Sequence, residues 1–251
     1  MSIRRGPLKS IIKDGLIFYV DAANQASYPQ TGTTWFDIIG TNNGTLVNNP
    51  TFSSDGGGSI VFDGNDDRVD INVSGNTLTG LTYGTLSVWF KIPSSTPNVT
   101  TNLFSLYEDN SNRFQLIIGQ ATSAHPDESL MAFSQNGGNI SYAAITKEGH
   151  TYYFDDTWHN IVLTINSGPA PNTKIYMDGQ NKSLSYPFGS NTGTGFTNLS
   201  PSAIRIGDRV YNGAEGQFFE GNISNVQIYN RALSSTEVQY NYNILKGRFG
   251  L

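Results

Sequence analysis

The turn Asp63-Gly64-Asn65-Asp66-Asp67 is the densest group of chemistry-bearing side chains in the sequence. Three carboxylates and an amide fall within five positions, and hard oxygen donors of this kind suit calcium, which takes about 6 to 8 oxygen ligands. Asp63, Asp66 and Asp67 are therefore the candidate metal ligands, and calcium is the one cofactor the residues suggest; no motif requires any other. The same side chains would also cap the turn without an ion, because Asp and Asn accept hydrogen bonds from backbone N–H groups a few residues on. Glycoside hydrolysis needs two carboxyl groups about 5 to 9.5 Å apart across one bond. The acidic pairs Glu108-Asp109, Asp127-Glu128 and Asp155-Asp156 are adjacent, so in strands they point to opposite faces. His125, His150 and His159 show no spacing that assembles a zinc site, and no Gly-x-Ser-x-Gly elbow or phosphate-binding loop occurs. With no cysteine there is no thiolate centre and no disulfide. No catalytic set is visible, and the chain is expected not to be an enzyme.

Binding chemistry has more to draw on. Sugars are recognised by aromatic faces beside amide and carboxylate groups, and loop segments hold Tyr107, Tyr152, Tyr153, Tyr186, Tyr211 and Phe218. A β-sandwich core also consumes aromatic residues, so sequence leaves open which of these are wet. The net charge is −5, yet Arg4, Arg5, Lys9, Lys13, Lys246 and Arg248 place six of the 15 basic residues at the two ends. An acidic body argues against binding nucleic acid along its surface. The basic ends are candidates for docking onto an acidic partner. No apolar run approaches the roughly 18 residues of a membrane span. The opening MSIRRGPLKS lacks a signal-peptide pattern, so the chain is expected to stay where it is made or to leave by another route.

These residues must be positioned by strands. Charged residues are only 14% of 251 while 27 glycines punctuate the chain, a composition of turns and strands rather than helices. Arg68 to Val73 alternates, with Val69, Ile71 and Val73 on one face, as a half-buried strand should. Leu16 to Val20 and Trp158 to Ile165 are apolar on both faces, which suits central strands. Strand signals recur from end to end with no intervening helices, and this excludes parallel α/β folds. Met177-Asp178-Gly179-Gln180 predicts a tight hairpin. Ser234 and Glu237 predict a capped helix that closes at Leu245 with Gly247 as terminator.

Six segments then appear in order: Gly15-Leu16-Ile17-Phe18-Tyr19-Val20-Asp21-Ala22, Phe62-Asp63-Gly64-Asn65-Asp66-Asp67-Arg68-Val69, Ser87-Val88-Trp89-Phe90-Lys91, Trp158-His159-Asn160-Ile161-Val162-Leu163-Thr164, Ile175-Tyr176-Met177-Asp178-Gly179, and the run from Phe219 to Ser234. In order and spacing the chain resembles the laminin-G-like, concanavalin-A-like jelly-roll domain across residues 15–245. The resemblance implies an all-β, two-sheet antiparallel jelly roll with one short C-terminal helix, its first and last strands neighbours. Residues 1–14 would form a basic N-terminal arm and 246–251 a short basic tail. It also implies calcium at the Asp63 to Asp67 turn in some relatives, although Ser224 and Gln227 stand where relatives often carry Asp and Arg. Relatives include lectins, adhesion modules, glycosidase accessory domains and structural proteins of phage virions. The favoured expectation is a non-catalytic bacteriophage virion surface protein, decorating capsid or tail and adhering to the host surface, its basic termini on other virion proteins. The alternative is a soluble glycan-binding lectin-like module, secreted or on the cell surface, with a cell-surface glycan as partner. A glycosidase or sialidase relative is the third. None of the three calls for a nucleic acid or a membrane.

Overall fold

The computed structural model describes residues 10–73, 77–97, 99–119, 128–137, 139–146, 153–166, 173–186, 196 and 199–251. In chain order the strands are β1 (Leu16–Asp21), β2 (Thr34–Trp35), β3 (Gly44–Val47), β4 (Thr51–Ser53), β5 (Ser59–Asp63), β6 (Arg68–Ile71) and β7 (Gly84–Lys91). Then follow β8 (Thr101–Asp109), β9 (Asn112–Ile118), β10 (Glu128–Asn136), β11 (Asn139–Thr146), β12 (Trp158–Ile165), β13 (Thr173–Met177), β14 (Gln180–Asn181) and β15 (Leu184–Ser185). The last are β16 (Ala203–Ile206), β17 (Arg209–Tyr211), β18 (Ala214–Gly216) and β19 (Glu220–Tyr229), before helix α1 (Ser235–Leu245).

Two antiparallel sheets form the sandwich. One runs β14-β13-β12-β7-β19-β5-β4, and β1 also pairs with β19; the other runs β15-β11-β10-β9-β8-β16-β6-β3-β2. The first and last strands are neighbours as expected, paired from Leu16↔Tyr229 to Asp21↔Asn225. Alternation puts Phe18, Val88, Phe90, Ile161, Leu163 and Val226 of the first sheet against Val69, Ile71, Phe104, Leu116, Ile204 and Ile206 of the second, in one buried cluster. Each such side chain contributes about 1.5–3 kcal/mol on leaving water. The opposite face of the first sheet is covered too. Leu16, Tyr19, Val162, Tyr176 and Tyr229 pack there with Ile11, Leu233 and Val238. That second cover is why Leu16 to Val20 reads as apolar on both faces.

Local signals mostly act where they stand. The Asp178-Gly179 turn between β13 and β14 has positive φ at both residues, 51° and 76°, the geometry of a type I′ hairpin. Ser234 caps α1 by accepting from the Glu237 N–H while Glu237 accepts from the Ser234 N–H at 2.8 Å. Two expectations need correction. β6 stops at Ile71, and Val73 lies exposed beyond it, because no partner strand continues the ladder past Ile71.

Nor does the chain leave the fold at Gly247. It continues into a 3-10 turn, Lys246–Phe249, that ends at Gly250 in the left-handed region. Phe249 is buried, its ring 4.0 Å from that of Trp89 and 4.9 Å from that of Trp158. Residues 246–251 are thus a packed plug rather than a free basic tail, because apolar burial outweighs the freedom of the chain end. At the other terminus, Arg4, Arg5 and Lys9 lie outside the described residues. The arm is already docked at Ile12, whose N–H donates to Asn241 Oδ1 at 2.8 Å and whose carbonyl accepts from Tyr229 Oη at 3.1 Å.

Phe249→Ala should cost about 3 kcal/mol of stability, as a buried Phe truncation does. Leu251→Ala, at an exposed position, should stay within about 0.5 kcal/mol. Urea unfolding of the two variants checks the plug; equal midpoints would show that Phe249 packs without stabilising.

Candidate functional site

The nine-stranded sheet turns a polar face outward. On β6 the buried Val69 and Ile71 alternate with Arg68 and Asp70, and antiparallel register sets Arg205 of β16 opposite Asp70. A groove of about 570 Å³ runs across these strands, lined by Thr34, Thr45, Asp70, Asn72, Ser202 and Arg205 among others, with Val73 at its wall. Short hydroxyl and amide side chains on a rigid ladder present donors and acceptors already in place, the arrangement that binds a polyhydroxylated ligand at low ordering cost.

The hairpin β17–β18 lies over the same face and is held by charge. Glu215 reaches Arg68 Nη1 at 3.0 Å and Arg205 Nη2 at 3.1 Å. Arg205 also meets Asp70 at 3.1 Å and Asp208 at 2.7 Å. Ser105 Oγ donates to the Asp208 carbonyl at 2.8 Å, and the Asn212 N–H donates to Asn110 Oδ1 at 2.8 Å. Asp208 is fully buried, and desolvation pushes its carboxyl up to about 6 against the pull of Arg205. At the hairpin tip Tyr211 is 37% exposed. Arg113 stacks between two rings, 4.5 Å from the Tyr211 centroid and 4.9 Å from that of Phe133.

Asp63, Asp66 and Asp67 bring one oxygen each to within 4.8 Å of one another, the first two exposed and Asp67 buried. Asp63 does the capping: its Oδ1 accepts from the Asn65 N–H at 2.9 Å and its Oδ2 from Asn65 Nδ2 at 2.9 Å. Asp67 Oδ2 accepts from the Asp63 N–H at 3.0 Å, but its Oδ1 is buried with no partner. An orphaned buried oxygen in a turn where three carboxylates converge fits a hard divalent cation, held by Asp67 with Asp63 and Asp66. A bound ion would supply charge neutralisation and a cross-link within the turn.

A family model described as the concanavalin A-like lectin/glucanases superfamily matches residues 63–239. The chain belongs to this superfamily. No curated protein matches it significantly. Among solved structures, domain 4 of AbnA, an extracellular GH43 arabinanase from Geobacillus stearothermophilus in complex with arabinotriose, superposes with a TM-score of 0.61 at 17% identity, over 89% of this chain and 96% of that one. The receptor-binding domain of botulinum neurotoxin type G gives 0.59 at 14% identity over 92% of this chain and 51% of that one, so the chain spans about half its length. The CBM40 of the Ruminococcus gnavus IT-sialidase, bound to α2,3-sialyllactose, gives 0.53 at 14% identity, covering 78% and 94%.

Within this concanavalin A-like domain one member of the basic docking set is committed elsewhere. Arg248 turns inward: its guanidinium pairs with both oxygens of Asp21 at 2.9 Å and donates to the Gly56 carbonyl at 2.6 Å and to Ser224. It is a structural cation, not a docking residue. Lys13 lies over the Tyr19 ring and Lys246 over the Tyr242 ring, with Lys13 exposed. Of the aromatic candidates, Tyr153 is core, Tyr211 is exposed, and Tyr152 lies outside the described residues, as do His125 and His150. The groove residues Thr34, Thr45, Ser202 and Arg205 were not singled out by sequence, since nothing in their local pattern says which strands are neighbours.

His159 approaches a hydrolytic triad in outline. Its Nδ1 is 2.9 Å from Asp178 Oδ2 and its Nε2 3.1 Å from Thr157 Oγ1. The Thr157 hydroxyl, however, lies 2.7 and 2.8 Å from the Asp155 oxygens, and its single proton goes there. Burial opposes charge on the imidazole, but Asp178 and Asp155 outweigh it and raise its pKa above the usual 6.5. Two carboxylates that favour the protonated ring suit His159 to a clamp rather than a base. Its stabilising contribution is complete below about pH 6.5 and disappears as pH rises through the raised folded value. The advantage of the native protein over His159→Gln, about 2 kcal/mol at pH 6, should therefore shrink by pH 9 in urea titrations. A pH-independent gap would mean the ring is neutral.

Proposed function

We propose that this protein is a non-catalytic glycan-binding module whose ligand lies across the outer face of the nine-stranded sheet. The polar groove over β3, β6 and β16 carries the reading, and the resemblance to domains described with arabinotriose and sialyllactose supports it. The lectin-like alternative has more support than the virion role: the related structures are binding modules and sialidase or arabinanase domains, and the inward Arg248 weakens docking through basic termini. A non-enzymatic role is supported by the acids near the groove. Asp70 is paired with Arg68 and Arg205, and Asp208 is sealed beneath the hairpin, where no substrate reaches it. Thr45 is exposed on the groove floor. Thr45→Trp should lower affinity for any glycan found by array at least about tenfold, or about 1.4 kcal/mol, with the melting temperature unchanged. Full affinity in that variant would place the ligand elsewhere, and acid-dependent release of reducing sugar from a polysaccharide would restore the glycosidase reading.

We also propose that calcium occupies the Asp63, Asp66 and Asp67 turn as a structural ion, because Asp67 Oδ1 is the buried oxygen that capping leaves unused. Calcium chloride at 100 times its dissociation constant should add about 2.7 kcal/mol, chelator should remove the gain, and Asp67→Asn should abolish it. A melting temperature indifferent to calcium and chelator leaves capping as the turn's whole role.

A further inference from the structure

The outer face has two electrostatic halves. On the groove side, Arg68 and Arg205 are locked to Asp70, Asp208 and Glu215, so both guanidinium groups are spoken for. On the other side of the hairpin the balance reverses. Arg209 makes no hydrogen bond or ion pair with any described residue; its Nε is buried without a partner, and its guanidinium lies over the Tyr211 ring, 5.3 Å from the centroid. The terminal nitrogens are not sealed in the same way and reach solvent. Arg113 brings a second guanidinium to 4.5 Å from the same ring. A chain of net charge −5 has therefore gathered two cations around one exposed tyrosine, with no described acid paired to Arg209.

An unpaired, half-buried guanidinium is costly unless something compensates it. Burial accordingly lowers the Arg209 pKa. The planar guanidinium matches a carboxylate with two parallel hydrogen bonds, and the exposed part of Tyr211 beside it adds an apolar edge and a hydroxyl for the rest of a sugar.

We propose that Arg209 and Tyr211 form a subsite for the carboxylate of an acidic sugar, so that the glycan recognised by this face is anionic. This rests on the glycan-binding reading and narrows it to one ligand class. The carboxylate could belong to a sialic acid or to a uronic acid, and the probes separate the two.

The test is calorimetric titration of the full chain with sialyllactose, with a galacturonic acid trimer, and with neutral lactose and arabinotriose. One acidic probe should bind at least tenfold more tightly than the neutral ones, and its affinity should fall as sodium chloride rises from 50 to 500 mM. Arg209→Gln should abolish that preference with little change in melting temperature, since the residue has no hydrogen bond or ion pair with a described residue to lose. Arg209→Lys should restore only part of it, because an ammonium lacks the paired donors, and Tyr211→Ala should weaken acidic and neutral probes alike. Equal binding of neutral and acidic probes, or a preference that survives Arg209→Gln, overturns the subsite while leaving glycan binding intact. Absence of binding to all four probes and to a broad glycan array overturns the subsite together with the reading beneath it.

Discussion

The fold depends on the ladder along β19. From Asn222 to Tyr229 it pairs with β7 on one side, and on the other it pairs with β5 from Glu220 to Ile223 and with β1 from Asn225 to Tyr229. Three segments distant in sequence are thus tied to one strand, and the register shift between Ile223 and Asn225 lets it serve both neighbours. Most of its buried polar atoms are answered: Ser224 Oγ donates to the Gly58 carbonyl at 2.7 Å, and Gln227 Nε2 donates to Asn225 Oδ1 at 3.1 Å, while Asn225 Nδ2 is buried without a partner. Arg248 adds a guanidinium against Ser224 and Asp21, so the cation of this corner comes from the C-terminal plug rather than from β19 itself. The closing strand, the plug and the start of the chain consequently stand or fall together.

The two outer faces are governed by different forces. The first sheet is capped by α1 and the N-terminal residues through apolar contacts, which are non-directional and hold many side chains at once. The hairpin over the second sheet is placed by ion pairs among Arg68, Arg205, Asp70, Asp208 and Glu215. Buried or half-buried pairs add little net stability because desolvation opposes them, but they are directional and fix position. A binding face benefits from that trade. The floor of the groove is a rigid ladder, its rim is set by geometry rather than by bulk, and its surface stays polar and open.

Several features were legible in the sequence because they are local. The capping box at Ser234 and Glu237, the Asp178-Gly179 hairpin and the alternation of Arg68 to Ile71 each depend on residues within a turn or a strand of one another. Asp63, Asp66 and Asp67 could be grouped for the same reason, since one turn holds all three. Composition and six ordered motifs carried the architecture as well, through the long-range constraint that a two-sheet sandwich places on which strands are apolar on one face and which on both.

What sequence alone could not decide was pairing across the fold. Arg248 reads as one charge in a basic tail, yet a stacked Phe249 draws it inward onto Asp21, 227 positions away. Arg205 and Arg209 are near neighbours of the same residue type, and nothing local separates them. Register sets the first opposite Asp70 and under Glu215, while the hairpin holds the second over Tyr211 with no ion pair to a described acid. Local hydrogen bonding and hydrophobic period are written in neighbouring residues and can be read there. The balance of charge at a site is a sum over groups that only strand order and register bring together, and so the tertiary structure alone determined which arginine is occupied and which is available.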